Sequence, residues 1–318
     1  MPSSVTPTTL LLRQIEKFQE LLPAVRDGGS TAIHDARVAT RRMRELVPLV
    51  VGGLMPSDTE RLDRTLRKAT RRLGRARDME VMLETLAALE PAAPTAAGEI
   101  GRLRLEWHEK RDRLVRRAIK SLERMDIETT LHELPWMLAP NKPALFGLRR
   151  HASAAPRWEA TLVAQLRERA GDAAEAIGRA GGVAFTNRLH RARVSLKKLR
   201  YSMEIATATG QGNFEQELRL LGKAQDLLGR LHDHDALADA LRNARLGAQR
   251  LLPLIELQRR RLHSRYLRRR AALLEACGLA AVSASRAHRA VTVRDGLIVA
   301  SLPLAMLAIP LVKRARSA

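Results

Sequence analysis

Two motifs recur in this chain in the same order, and any fold it adopts has to place both copies. IHDARVATRRMR begins at Ile33 and LHRARVSLKKLR at Leu189. His34 and His190 stand 156 positions apart, as do Arg37 and Arg193, Arg41 and Lys197, Arg42 and Lys198, and Arg44 and Arg200. LRKATRRLGRARD from Leu66 and LGKAQDLLGRLHD from Leu221 follow at a spacing of 155, matching Lys68 with Lys223, Gly74 with Gly229, Arg75 with Arg230 and Asp78 with Asp233. Self-similarity at nearly one spacing marks an internal duplication.

The pattern between the motifs is helical, with apolar residues at steps of three and four and no alternating strand. Helices are expected from about Thr8 to Val25, Thr31 to Val51, Ser57 to Leu89 and Ala97 to Arg124. Residues 127–155, punctuated by Pro135, Pro140, Pro143 and Gly147, read as a linker. The pattern restarts with helices from about Pro156 to Arg179, Asn187 to Thr209, Asn213 to Leu246 and Gln249 to Ala276. The expected fold is all-α, two four-helix bundles over residues 1–126 and 156–280 related by internal duplication, with a tail over 281–318.

Charge narrows the partner. Among 318 residues the formal net charge is +22, which points to a polyanion. Arginine-rich composition alone inflates the count without placing charges in matched registers. On a helical wheel, His34, Arg37, Arg41 and Arg44 share a stripe about 80° wide, opposite Ala36, Met43, Leu46 and Val47. His190, Arg193, Lys197 and Arg200 repeat it, backed by Ala192, Leu199 and Met203. Neither stripe carries an acidic residue of its own to relieve the repulsion at i,i+3 and i,i+4. Thr31 and Asn187 are candidate N-caps that would put both histidines in a first helical turn, where anions are favoured. Lys68 with Arg75, Lys223 with Arg230, Arg113 with Arg117, and Arg265 with Arg268 add further basic faces, so that facing helices would line a basic channel in each bundle. Gly74 and Gly229 suggest close helix crossings, and Asp78 and Asp233 suit orienting nearby arginines.

Other classes find less support. Aromatics make up only 3% of the chain and do not interleave with the basic clusters, against base stacking on single strands. Neither catalytic nor metal-ligating residues are assigned: no P-loop or dinucleotide motif stands out, and the neighbours in His232-Asp233-His234-Asp235 fall on different helix faces. No cofactor is expected. The single cysteine, Cys277, fits a reducing compartment. The N-terminus lacks a signal-peptide pattern. The uncharged stretch Leu297–Val312, followed by Lys313, Arg314 and Arg316, reads as a buried segment or subunit contact, with a short membrane or granule-surface anchor as the alternative.

His34-x-x-Arg37-x-x-x-Arg41-Arg42-x-Arg44, then Leu73-Gly74-x-x-x-Asp78, then His190-x-x-Arg193-x-x-x-Lys197-Lys198-Leu199-Arg200-Tyr201 resemble the CHAD family, the conserved histidine α-helical domain, over about residues 6–280. The resemblance implies two four-helix bundles related by pseudo-twofold symmetry and a basic surface that binds inorganic polyphosphate. It also implies a cytoplasmic protein, with polyphosphate or polyhydroxyalkanoate granules as possible sites of association. The chain lacks the ExExK motif of the CYTH domain fused to some relatives, so it reads as stand-alone. The expectation is non-enzymatic polyphosphate binding. The alternatives are nucleic-acid or nucleoid binding and, behind it, a phosphate-anhydride hydrolase.

Overall fold

The structure, a computed structural model, describes residues 5–50, 56–138, 158–243 and 248–294. Its helices are α1 (Pro7–Arg26), α2 (Ser30–Val50), α3 (Pro56–Leu89), α4 (Ala97–Arg124), α5 (Ile127–Leu138), α6 (Trp158–Arg179), α7 (Thr186–Ala208), α8 (Glu215–Arg242), α9 (Leu252–Leu267) and α10 (Arg270–Arg294). Short 3-10 turns fill Glu90–Ala92, Pro94–Ala96 and Ala248–Leu251, and no strand occurs among the described residues. Local chemistry sets several ends. Thr6 caps α1 by accepting from the Thr9 N–H at 3.2 Å, with Pro7 in the first turn. α1 closes on Gly28 at φ 77°, and the Gly29 N–H returns to the Ala24 carbonyl at 2.9 Å. α7 closes in the same way, with Gly210 at φ 72° and the Gln211 N–H on the Ala206 carbonyl at 2.8 Å.

Two expectations are corrected here. The first part of the presumed linker is a helix, α5, because Ile127, Leu131 and Leu134 form a buried stripe at steps of four and three despite Pro135. The presumed last helix is two, α9 and α10, parted at Arg268 and Arg269. After the break α10 folds back onto α6, where the Arg270 guanidinium donates to the Ile177 carbonyl at 3.1 Å. Residues 139–157 of the linker and the apolar stretch 297–312 lie outside the described residues. No helix among the described residues is long and apolar enough to cross a membrane.

The packing order is the same in both halves. α1 packs on α2, α2 on α3, α3 on α4, and α5 returns to α1; α6 packs on α7, α7 on α8, α8 on α9, and α10 returns to α6. The halves meet where α3 lies on α8 and α2 on α6 and α7. They do not keep separate interiors. One apolar core runs from Leu11, Phe18, Ile33 and Met43 to Leu162, Leu196, Met203 and Tyr266. A second joins Met79, Leu86, Ile100 and Trp107 to Leu237, Leu241 and Ile255. On α3 the first core ends at Ala76 and the second starts at Met79; on α8 they stop and start at Leu231 and Leu237. The intervening Arg77-Asp78 and His232-Asp233-His234-Asp235 therefore sit between two apolar masses.

Candidate anion-binding site

α2 begins at Ser30 and α7 at Thr186, so Thr31 and Asn187 lie inside the first turns and are not N-caps. The Ile33 N–H already donates to the Gly29 carbonyl at 2.9 Å, and the Leu189 N–H to Phe185 at 3.1 Å. His34 and His190 therefore open the second turns, beyond the free N–H groups expected to draw an anion. Partial burial, reinforced by Arg77, holds the His34 imidazole below its ordinary range; burial and Arg193 do the same to His190. His232 packs its ring 4.8 Å from His190, and burial followed by the charge of Arg193 pushes it down to about 4. These rings are neutral donors and acceptors near neutral pH, so the positive charge comes from arginine and lysine.

The matched glycines explain how those cations are seated. A Cβ on Gly74 of α3 would come within 3.2 Å of Arg37 Nε, and one on Gly229 of α8 within 3.8 Å of Arg193 Nε. Each glycine opens a bed in which an arginine of the preceding helix lies across its neighbour. The expected close crossing is thus an approach of guanidinium to backbone. Arg37 Nη2 also reaches Asp78 at 3.5 Å, the orienting role expected of that carboxylate. Burial raises the Asp233 carboxyl above its ordinary range, against the pull of Arg193.

The two stripes converge. Arg37 and Arg41 of α2 and Arg193 and Lys197 of α7 stand near enough to perturb one another. A cleft of about 430 Å³ opens beside them, with Arg193, Lys197, Gly229, Arg230 and Asp233 in its wall. The wall of the cleft belongs to α7 and α8, and the cations of α2 stand beside it where the halves meet. Burial and then Arg37 lower the Arg41 guanidinium, and burial with Arg41 and Arg193 pushes the Lys197 amine down to about 7. Burial comes first in both shifts, and the neighbouring cations add to it. Arg37 and Arg42 each bury an Nε–H that finds no acceptor among the described residues, donors that phosphate oxygens would suit.

Part of the stripes is neutralised, which corrects the expectation that relief is lacking. Glu204 of α7 takes Arg200 at 2.9 Å and, across the seam, Arg42 at 3.4 Å. Arg44 faces Asp63 at 3.6 Å. Arg169 of α6 joins Glu45 at 2.5 Å and Ser202 at 2.6 Å, the former also across the seam. Relief arrives from neighbouring helices and, for Arg200, from Glu204 one turn further along its own face. Arg41, Arg193 and Lys197 have no ion pair among the described residues.

The remaining predicted residues separate into two sets. Lys198 is exposed beside the site, as are Lys68 and Arg75 on α3, and Lys223 and Arg230 line α8. Lys68 and Arg75 belong to a shallow groove on α3 walled wholly by basic side chains, including Arg64, Arg71 and Arg72, which continue the same helical spacing. Arg113 and Arg117 are not brought to the site. α4 turns Val115, Ala118 and Leu122 inward and leaves both arginines exposed on the other side, with Arg113 3.6 Å from Glu109. Arg265 and Arg268 likewise face solvent, away from the Ile255, Leu262 and Tyr266 face of α9.

His232-Asp233-His234-Asp235 splits as helix geometry requires. Asp233 faces the cleft and His232 packs on His190, whereas His234 Nδ1 lies 2.7 Å from the Arg230 carbonyl and Asp235 takes Arg259 Nε at 2.5 Å. No group of three potential metal ligands gathers among the described residues. Spacing arguments miss Glu204, Tyr201, Arg169 and the buried Arg259. Of these only Glu204 carries a local signal, four residues after Arg200 on the same helix face.

The family model of the CHAD domain matches residues 9–242, and the chain belongs to that family. In fold it is similar to the crystal structure of the CHAD domain from the plant Ricinus communis, with a TM-score of 0.58 and 18% identity over 87% of this chain and 93% of that one. No curated protein matches it.

Proposed function

We propose that this protein is a non-enzymatic binder of inorganic polyphosphate and that its halves are a duplicated helical unit, built as paired four-helix bundles about a pseudo-twofold axis through the seam. The observation that carries this reading is the approach of Arg37 and Arg41 of α2 to Arg193 and Lys197 in the wall of the cleft, a gathering of cations that outnumbers the carboxylates beside it. A linear polyphosphate offers closely spaced oxygens and no base edges, so recognition needs only forked guanidinium donors and point charges. The cations on α3 and α8 would then carry the polymer beyond the cleft. Nucleic acid is the second reading, on the basic groove of α3; the scarcity of aromatics counts against single strands.

Titration of the purified protein with long-chain polyphosphate tests the assignment. Arg41→Glu with Lys197→Glu is expected to weaken binding about a hundredfold, because two charge-assisted hydrogen bonds give way to repulsion. Unchanged affinity sinks the site. Duplex DNA that displaces polyphosphate at equal phosphate concentration sinks the specificity. Location on polyphosphate-rich granules, and the share of residues 297–312 in it, would be read from fluorescent fusions of the full and the shortened chain.

A further inference from the structure

Lys197 is an amine in an unusual setting. It projects from α7 into the cleft and is the only lysine in its wall; no hydrogen bond or ion pair holds it among the described residues, and its one ring neighbour is Tyr201 at 6.0 Å. Arg37 and Arg41 of α2 and Arg193 and Arg200 of its own helix bear on it. His34 of α2 and Asp78 of α3 stand at the margin, and the far wall offers Arg230 with the carboxylates Asp226 and Asp233. The next residue, Lys198, is exposed and carries no such surroundings.

We propose that Lys197 is a self-modification site for small acyl phosphates, whose phosphate the flanking arginines hold while the amine attacks the acyl carbon. The inference goes beyond polyphosphate binding: it uses the same cleft and does not depend on that polymer being its ligand. The Nζ lone pair forms the new N–C bond. The bond between acyl carbon and phosphate oxygen breaks, and inorganic phosphate leaves with the electron pair. The extra proton passes from nitrogen to solvent, leaving an Nε-acyl-lysine. Nothing is oxidised or reduced. Two features recommend the site. Burial and then the crowded cations lower the amine's affinity for a proton to about 7, so an unprotonated fraction, which an attacking amine requires, is present near neutral pH. The same cations would place the dianionic leaving group and stabilise the charge it gains. The product removes a cation from the cleft, so modified protein would bind polyanions less tightly.

The test compares lysines within one folded protein. The full chain is incubated with acetyl phosphate at about pH 7.5, and site occupancy is followed by peptide mass spectrometry. Lys197 is expected to react about tenfold faster than Lys198, because the flanking arginines gather the acyl phosphate at that amine. Equal rates overturn the proposal. A neutral acetylating ester is run in parallel. The Lys197 preference is expected to shrink about tenfold with it, because no anion guides that reagent; an undiminished preference overturns the assignment to acyl phosphates. Polyphosphate added in excess separates the two readings: selective labelling that the polymer does not block upholds the modification site and sinks polyphosphate as the cleft's ligand.

Discussion

At the scale of single residues, the matched glycines do unequal work. Gly within a helix costs about 1 kcal/mol relative to Ala. At Gly229 the added methyl would stand 3.8 Å from Arg193, ordinary contact, so Gly229→Ala is expected to stabilise the protein by about 0.5–1 kcal/mol in urea unfolding. At Gly74 the distance is 3.2 Å to Arg37 Nε, and the methyl displaces the guanidinium. Gly74→Ala is expected to lack that gain and to weaken polyphosphate binding, which a urea curve and a titration check together. Lys197 supplies a pH dependence. Burial lowers its affinity for a proton in the free protein, to about 7, and a bound polyanion restores it. Polyphosphate affinity should therefore be fullest below about pH 7 and decline as pH rises above it, with net proton uptake at about pH 8 measured by calorimetry in buffers of different ionisation enthalpy. A pH-independent affinity with no proton uptake contradicts this. The cations of both stripes are legible in the sequence because one helix period places them. Glu204, Asp63 and Glu45 are harder to read: two of the arginines they meet, Arg42 and Arg169, belong to the opposite half, and spacing along one helix says nothing of its neighbours.

At the scale of elements, the eight long amphipathic helices are visible from periodicity and breakers, but the two closing helices are not. α5 hides behind Pro135, and α10 continues α9 with no glycine or proline between them. What distinguishes α9 from α10 is what each packs on, α8 for one and α6 for the other. Arg259 anchors α9. It is 9% exposed, pairs with Asp235 and Glu256 at 2.5 Å, and reaches the Val183 carbonyl at 3.3 Å between α6 and α7. Arg259→Ala leaves Asp235 half-buried without its partner and is expected to cost about 3 kcal/mol. Changing Arg260, which is exposed and bonded to Glu256 at 3.0 Å, is expected to move stability by less than about 1 kcal/mol. Chemical denaturation of the two variants separates a buried anchor from a surface pair.

At the scale of the whole molecule, a repeat in sequence is not a repeat in stability. Two apolar cores each draw on both halves, so residues 1–138 alone would leave Leu73, Met79, Leu86 and Ile100 short of partners. That fragment is expected to show no cooperative thermal transition, whereas the full chain melts as one unit. The seam also accounts for where the site lies: residues repeated 156 apart meet because the halves face each other, which a pairwise reading of the motif leaves open.

The matched helices α3 and α8 differ in one place with a kinetic consequence. Where α3 carries Arg71 between Lys68 and Arg75, α8 carries Asp226 between Lys223 and Arg230. A site nearly symmetric at its centre thus has one attractive shoulder and one muted one. Charges that steer encounter govern how fast a partner arrives more than how long it stays. Polyanions should reach the cleft predominantly over α3. Arg64→Glu with Arg71→Glu is then expected to lower the association rate about tenfold at low salt with little change in dissociation, while Arg219→Glu on α8 has a smaller effect. Stopped-flow binding at two salt concentrations would show whether the approach is one-sided.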